Sequence, residues 1–124
     1  MEGLVGMFKA LSEVTRLRIV FCLMQAEREL CICELMDALS LAQYNISRHM
    51  KELRTAGLVQ ERREGKFVFY SLRKPSGQAH ALLLKALDSF DKRGLEDDNR
   101  RLKKRLALRQ AGKCVVGIKQ GCCG

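Results

Sequence analysis

Two short amphipathic segments follow each other almost without a gap near the middle of the chain, and this arrangement most constrains the fold. The first segment, CICELMDAL at 31–39, has apolar residues at helical spacing. The second, SLAQYNISRHMKELRTAGLV at 40–59, places Ile46, Met50 and Leu53 at i, i+4 and i+7 on one stripe. Two helices separated by about one or two residues predict a helix-turn-helix.

Local signals around the second segment extend this prediction. Ser40, with Gln43 three residues later, has the spacing of a capping box and predicts a helix start at Ser40, whereas Gly57 is typical of a left-handed helix end. The stretch LVQERREGKFVFYSLRK at 58–74 then alternates apolar and polar residues around a glycine turn, which predicts a β-hairpin. A helix-turn-helix followed by a hairpin is a winged helix.

Other apolar stripes predict helices on both sides of this unit. The predicted segments cover residues 4–11, 14–25, 77–93 and 95–110. The stripe after the single proline is long for a small domain, so part of it is expected to contact a second copy of the chain.

The predicted architecture is therefore mainly α with a small β-hairpin: a winged helix-turn-helix that forms a homodimer through its terminal helices. One DNA-binding and dimerisation domain is expected over residues 1–98. Residues 99–124 are expected to form a basic, cysteine-containing extension.

Charge is distributed unevenly along the 124 residues, whose formal net charge is +9. Residues 40–74 carry eight basic and three acidic groups, and residues 99–124 carry eight basic and no acidic groups. This pattern favours a polyanionic partner such as double-stranded DNA. No apolar run has the ~18 residues of a membrane span, and no signal peptide is evident, so we expect a cytoplasmic protein whose six cysteines are reduced.

The polar face of the second segment has the side-chain types that read DNA. Glutamine can bond adenine, arginine can bond guanine, and serine or lysine can reach phosphates. The residues predicted to contact DNA on this helix are Gln43, Tyr44, Ser47, Arg48, His49 and Lys51, and those on the hairpin are Arg62, Arg63 and Lys66. The alternative is that these are ordinary solvated surfaces; for His49, a packed or phosphate-facing ring is favoured over a metal ligand.

Cys31 and Cys33 are the most distinctive pair of side chains in the sequence. Residues two apart do not share a helix face, so both sulfurs can bind one ion only if the helix start is distorted or non-helical. Thiolates select soft metals, and the thiophilic ions As(III) and Sb(III) accept two or three sulfurs. Zinc would require four donors, and the chain has only two histidines. Two buried small residues are the alternative reading.

Three further cysteines lie near the C-terminus, where Cys122 and Cys123 are adjacent and Cys114 precedes them. They could complete the Cys31/Cys33 site, form a second site, or be inert. Cys22 lies in an apolar segment and is expected in the core. No organic cofactor is predicted.

The stretches ALSEVTRLRIVFCL, ELCICEL, ISRHMKELRTAGLV and REGKFVFYSL together resemble the ArsR/SmtB family of metal-sensing transcription factors, in order over roughly residues 5–72. ELCxC is similar to the motif of family members that sense arsenite and antimonite. The resemblance implies a homodimeric repressor, not an enzyme, that leaves its operator when the metal binds. Close arsenite sensors carry a third cysteine where this chain has Met36, which leaves the third ligand open and allows for a methylated arsenical.

Three other functions remain open at this point. The first is a repressor of the same fold that responds to Cd(II), Pb(II) or Zn(II). The second is a small thiol-dependent arsenical or redox enzyme, which is disfavoured because the chain has neither a CxxC motif nor a nucleotide-binding loop. A DNA-packaging winged helix with incidental thiols is a third possibility.

Overall fold

The computed structural model describes residues 1–109. Within that range the chain forms six helices and three short strands, so the predicted mainly helical fold with a small sheet is confirmed. In chain order the elements are α1 (Glu2–Leu11), α2 (Val14–Ala26), β1 (Leu30–Cys31), α3 (Ile32–Leu39), α4 (Gln43–Thr55), β2 (Val59–Glu64), β3 (Phe67–Leu72), α5 (Gln78–Asp88) and α6 (Glu96–Leu106).

Helices α3 and α4 form the predicted helix-turn-helix. Ile46, Met50 and Leu53 are completely buried, which confirms the stripe that their spacing predicted. Residues 40–42 link the two helices, so the linker has one residue more than the predicted one or two.

The capping box predicted at Ser40 is wrong. Ser40 has a φ of 55° and ends α3, so its backbone is already used to close the preceding helix. The next helix begins at Gln43, behind Ala42 in extended conformation.

The winged part of the fold is a three-stranded antiparallel sheet in the order β1-β3-β2. Gly57 has a φ of +79°, and the Leu58 amide bonds the Leu53 carbonyl oxygen at 3.0 Å, so the predicted left-handed end of α4 is confirmed. The two-residue strand β1 was not predicted. It pairs Cys31 with Phe69, and this pairing places the cysteine segment beside the hairpin.

The C-terminal helices are shorter than the two segments, 77–93 and 95–110, that the apolar pattern indicated. Helix α5 stops at Asp88, and α6 begins at Glu96 after Gly94, whose φ is +91°. Leu102 of α6 is buried in the main core, and α6 spans the position at which the boundary after residue 98 is expected.

An ion-pair set fixes α6 against α2 and α3. Arg18 of α2 donates two 2.8 Å bonds to the Asp98 carboxylate. Arg101 bonds the same carboxylate at 2.7 Å and the Ala38 carbonyl oxygen at 2.9 Å. The basic helix is thereby aligned along α3, the helix whose start carries the two cysteines.

Candidate functional site

Helix α4 presents an exposed polar face opposite its buried stripe. Five of the six α4 residues predicted to contact DNA are exposed, and Tyr44 is 74% exposed. The Arg48 guanidinium lies 5.9 Å from the centre of the Tyr44 ring, which orients both side chains on this face. The exposed residues are Gln43, Tyr44, Ser47, Arg48 and Lys51.

His49, the sixth residue, does not join that face. Its side chain is only 13% exposed and lies toward the start of α2. The ring Nδ1 is 3.4 Å from Arg16 Nη1 and 3.7 Å from Glu13 Oε2. The structure therefore places this histidine at a contact between α4 and α2, which is the packed ring that the sequence analysis favoured over a metal ligand.

The three basic residues of the hairpin occupy different environments. Arg63 and Lys66 are exposed, near the turn formed by Gly65. Arg62 instead faces Glu29 just before β1, with Nε and Nη2 each 2.8 Å from a carboxylate oxygen. Its guanidinium also lies 4.6 Å from the centre of the Phe69 ring.

This contact changes the electrostatics of the Glu29–Arg62 pair. Hydrogen bonding by Arg62 holds the pKa of Glu29 below its ordinary value, and the same bond raises the pKa of the guanidinium. Arg62 therefore connects the hairpin to the cysteine segment, a role that its position at a basic hairpin tip did not reveal.

Cys31 and Cys33 converge because the first of them lies outside the helix. Cys31 is the N-terminal flanking residue of α3, with φ −77° and ψ 161°, and Cys33 is the second residue of the helix. The extended backbone turns the two side chains together, and their Sγ atoms are 2.8 Å apart. This is the non-helical start that binding of one ion by both sulfurs requires.

The cysteines differ in chemical state. Cys22 carries a thiol, whereas Cys33 is in the disulfide form, so the expectation of six reduced cysteines does not hold at this position. Burial raises the pKa of the Cys22 thiol to about 12, which keeps it protonated at neutral pH. Cys22 is thus a core residue, as expected, and the chemistry proposed below concerns Cys33 after reduction.

Two aromatic rings and one cation cover the sulfur pair. Cys31 and Cys33 are 0% and 2% exposed, and Phe67 and Phe69 of β3 pack against them. From α6, Arg105 Nη2 donates to Cys33 Sγ at 3.4 Å. Met36 packs against the main core instead, so the residue at the third-cysteine position is not part of this cluster.

Two carboxylates of α3 lie next to the pair, and arginines from the end of the described chain bind both. Arg105 Nε bonds Asp37 Oδ2 at 2.6 Å. Arg109 donates two 2.6 Å bonds to Glu34, which is completely buried and also accepts the Cys31 amide at 3.0 Å.

Sequence reasoning missed these arginines because they lie in a run of basic residues about seventy positions from the cysteines. The signal that could have located them was the spacing of Leu102 and Leu106. It predicts a helix with one apolar side, which must pack on the rest of the domain and bring its arginines with it. The remaining predicted ligands, Cys114, Cys122 and Cys123, lie outside the described residues.

The fold is a winged helix-turn-helix whose second helix, α4, exposes a polar and basic face. A pair of sulfurs lies at the start of the first helix, α3. These two features together are those of the ligand-responsive transcription regulators. Residues 13–61 match the model described as bacterial regulatory protein, arsR family. The arsenic resistance transcriptional regulator ArsR1 of Pseudomonas putida is 41% identical over 95 residues, covering 77% of this chain and 73% of that protein.

Two other similarities place the chain in the same group. A cadmium resistance transcriptional regulatory protein CadC homolog of Staphylococcus aureus is 40% identical over 65 residues, covering 52% of this chain and 53% of that protein. The structure of HlyU from Vibrio cholerae has a TM-score of 0.58 at 35% identity, covering 69% of this chain and 88% of that one.

The chain belongs to the arsR family of bacterial regulatory proteins. It is accordingly a DNA-binding transcription regulator and not an enzyme, which confirms the resemblance seen in the sequence. Among the described residues, no helix is both long and apolar enough to cross a membrane.

Proposed function

We propose that this protein is a transcriptional repressor that leaves its operator when As(III) or Sb(III) binds Cys31 and Cys33. The observation that carries the proposal is the convergence of two sulfurs, 2.8 Å apart, at the junction between β1 and α3. Helix α3 is the first helix of the helix-turn-helix and supports α4. A ligand that changes this junction therefore acts beside the DNA-contacting surface.

The donor set suits a trivalent thiophilic ion. Two buried sulfurs at one helix start supply two of the three bonds that As(III) forms, and soft ligands favour soft ions. Hydroxide, a soluble thiol or one of Cys114, Cys122 and Cys123 could supply the third bond. Among the described residues, no group of three or more His, Cys, Asp or Glu side chains could hold a metal, so a closed four-ligand zinc site lacks support there.

The DNA side of the proposal rests on the exposed face of α4. Gln43 and Arg48 are proposed to contact base edges in the major groove, and Ser47, Tyr44 and Lys51 to contact the backbone. Arg63 and Lys66 of the wing are proposed to contact phosphates. Arg62 can contact a phosphate only if its guanidinium gives up its bonds to the Glu29 carboxylate.

We also propose that two copies bind one operator. Helices α1 and α5 expose apolar side chains: Phe8 of α1 is 55% exposed, Leu82 of α5 is 55% exposed, and Phe90 after α5 is 62% exposed. A second copy is the proposed occupant, because a single winged helix reads only one half-site. Sedimentation of the full chain at micromolar concentration should give a dimer; a monomer alone would overturn this part.

The inducer is tested on a labelled duplex selected by the protein from random DNA. Fluorescence anisotropy of the reduced complex is followed while As(III), methylated As(III), Sb(III), Cd(II) and Zn(II) are added separately. The proposal predicts release by As(III) or Sb(III) at the lowest concentrations. The alternative is a Cd(II)-responsive repressor, which the cadmium-resistance relative favours; release by Cd(II) alone would establish it instead.

A further inference from the structure

Two carboxylates of α3, those of Glu34 and Asp37, are both bound by arginines of the C-terminal part of the described chain. Cys33 and Asp37 are four residues apart on α3 and therefore share one face of the helix. A single guanidinium bridges them, because Arg105 lies 3.4 Å from the sulfur through Nη2 and 2.6 Å from the carboxylate through Nε. Arg105 is 3% exposed, so its charge is held inside the protein.

The carboxylate of Glu34 is also bound by an arginine. Glu34 accepts both of its 2.6 Å bonds from Arg109, whose Nη2 also donates to the Glu29 carbonyl oxygen at 2.8 Å. Glu34 is 0% exposed and thus cannot turn toward another ion without breaking this pair. Both acidic side chains that could add oxygen ligands to the sulfurs are consequently committed to cations.

This arrangement matters differently for divalent and trivalent ions. Zinc, and by its similar chemistry cadmium, completes a tetrahedron with four donors, so a two-sulfur site must recruit other ligands. The anionic candidates on the same helix are Asp37 and Glu34. A buried guanidinium beside Cys33 also repels an incoming dication. As(III) meets neither obstacle, because it arrives as the neutral hydroxide.

Binding of As(III) needs no carboxylate and no change of oxidation state. Each thiol forms one As–S bond as one As–OH bond breaks, and the thiol proton leaves with the hydroxide as water. Two thiols thus replace two hydroxides and release two water molecules, while the third hydroxide stays on arsenic.

We infer that Arg105 is a specificity-determining residue that makes the Cys31/Cys33 site select neutral trivalent arsenic over divalent soft cations, by holding Asp37 away from the sulfurs. The inference rests on the proposed function, since it assumes that these sulfurs bind the inducer. It adds a cause for the selectivity that lies in α6, outside the helix that carries the sulfurs.

The test compares the reduced full-length protein with Arg105→Met, which keeps most of the side-chain volume and removes the cation. Asp37 is 58% exposed, so it can be solvated when its partner is lost. Arsenite and cadmium chloride are titrated separately, and sulfur-to-metal charge-transfer absorption reports binding without DNA. The variant should bind Cd(II) at least about tenfold more tightly, which corresponds to about 1.4 kcal/mol, with As(III) affinity changed less than about threefold.

Three matched variants make the result specific. Arg105→Lys restores a cation and should restore the preference for arsenic, whereas Lys104→Met removes an exposed cation of the same helix and should change neither affinity. Adding Asp37→Asn to Arg105→Met should abolish the gain for cadmium.

Equal shifts for both ions, or no shift for cadmium, would overturn the inference, as would a cadmium gain that persists in the double variant. Thermal unfolding confirms that each variant is folded. If the unmodified protein binds no As(III) at all, the proposed function fails first. If it binds As(III) but Arg105→Met keeps the original selectivity, only the role of Arg105 fails.

Discussion

The exposed face of α4 and the sulfur-bearing start of α3 lie in adjacent helices but are built in opposite ways. On α4, Gln43, Ser47 and Lys51 make no side-chain hydrogen bond to any other part of the chain among the described residues. At the start of α3, Cys31, Cys33 and Glu34 are buried. Bonds from Arg105 of α6 and from Arg109 hold Cys33 and Glu34.

This difference separates recognition from response. Polar side chains without internal partners can exchange water for DNA at little cost to the fold. A buried set of sulfurs, carboxylates and guanidiniums is closely packed, so a ligand that enters it must displace neighbours. Substitutions on the exposed face of α4 should therefore alter DNA affinity alone, whereas substitutions around the sulfurs should alter stability and ligand response.

The largest expected effect is on stability, at the buried ion pair. Arg109→Leu leaves Glu34 buried without its cation and should lower the free energy of unfolding by about 3–5 kcal/mol. Arg48→Ala, on the exposed face, should change it by no more than about 0.5 kcal/mol. Urea unfolding of the reduced proteins measures both. A loss below about 1 kcal/mol for Arg109→Leu would show that the two regions do not differ as described.

The next largest effect is on DNA affinity. Here the exposed face of α4 should be the more sensitive region, whereas for stability it is the buried ion pair. Arg48→Ala and Gln43→Ala should each weaken specific binding by about 1–3 kcal/mol and relax the sequence preference at one position. Lys66→Ala is the control for a phosphate contact: it should weaken all sequences alike and reduce the salt slope by about 1. Anisotropy at several salt concentrations distinguishes these outcomes, and unchanged operator affinity for Arg48→Ala would remove α4 from the proposed interface.

The smallest effect concerns the link between hairpin and cysteine segment. Arg62 lowers the pKa of Glu29 in the folded state, so the pair contributes stability above the unfolded pKa of glutamate, near 4.5. That contribution is lost as the pH falls through the lowered pKa, when Glu29 takes up a proton. Glu29→Gln should be slightly less stable than the unmodified protein at neutral pH and equally stable at strongly acidic pH. A difference that persists in acid would mean that the contact is not ionic.

Local patterns predicted the reading unit well because its determinants are local. The spacing of Ile46, Met50 and Leu53 and the glycine at position 57 each act within one or two helical turns. The same reasoning showed that Cys31 must lie outside a regular helix if its sulfur is to meet that of Cys33. The error at Ser40 has the same local origin, because one serine can either end α3 or begin α4 and its spacing fits both.

The remainder depends on distant contacts that spacing cannot show. Arg105 and Arg109 resemble a solvated basic stretch until Leu102 is buried and places them over α3. The strand β1 has only two residues and exists because Cys31 pairs with Phe69. Arg62 similarly turns toward Glu29, a partner 33 positions away, so its charge alone suggested a different role.

The most direct measurement is operator binding by Cys31→Ser and Cys33→Ser, with and without As(III), under reducing conditions. Serine keeps the size of the side chain but removes the soft donor, so both variants should bind the operator as the unmodified protein does. A release that lowers DNA affinity roughly thousandfold requires about 4 kcal/mol of coupling between the two sites. Both variants should lose that coupling and remain on DNA when As(III) is added. Normal release of Cys31→Ser by As(III), together with loss of release when the chain is cut after residue 113, would instead place the sensing cysteines in the C-terminal segment.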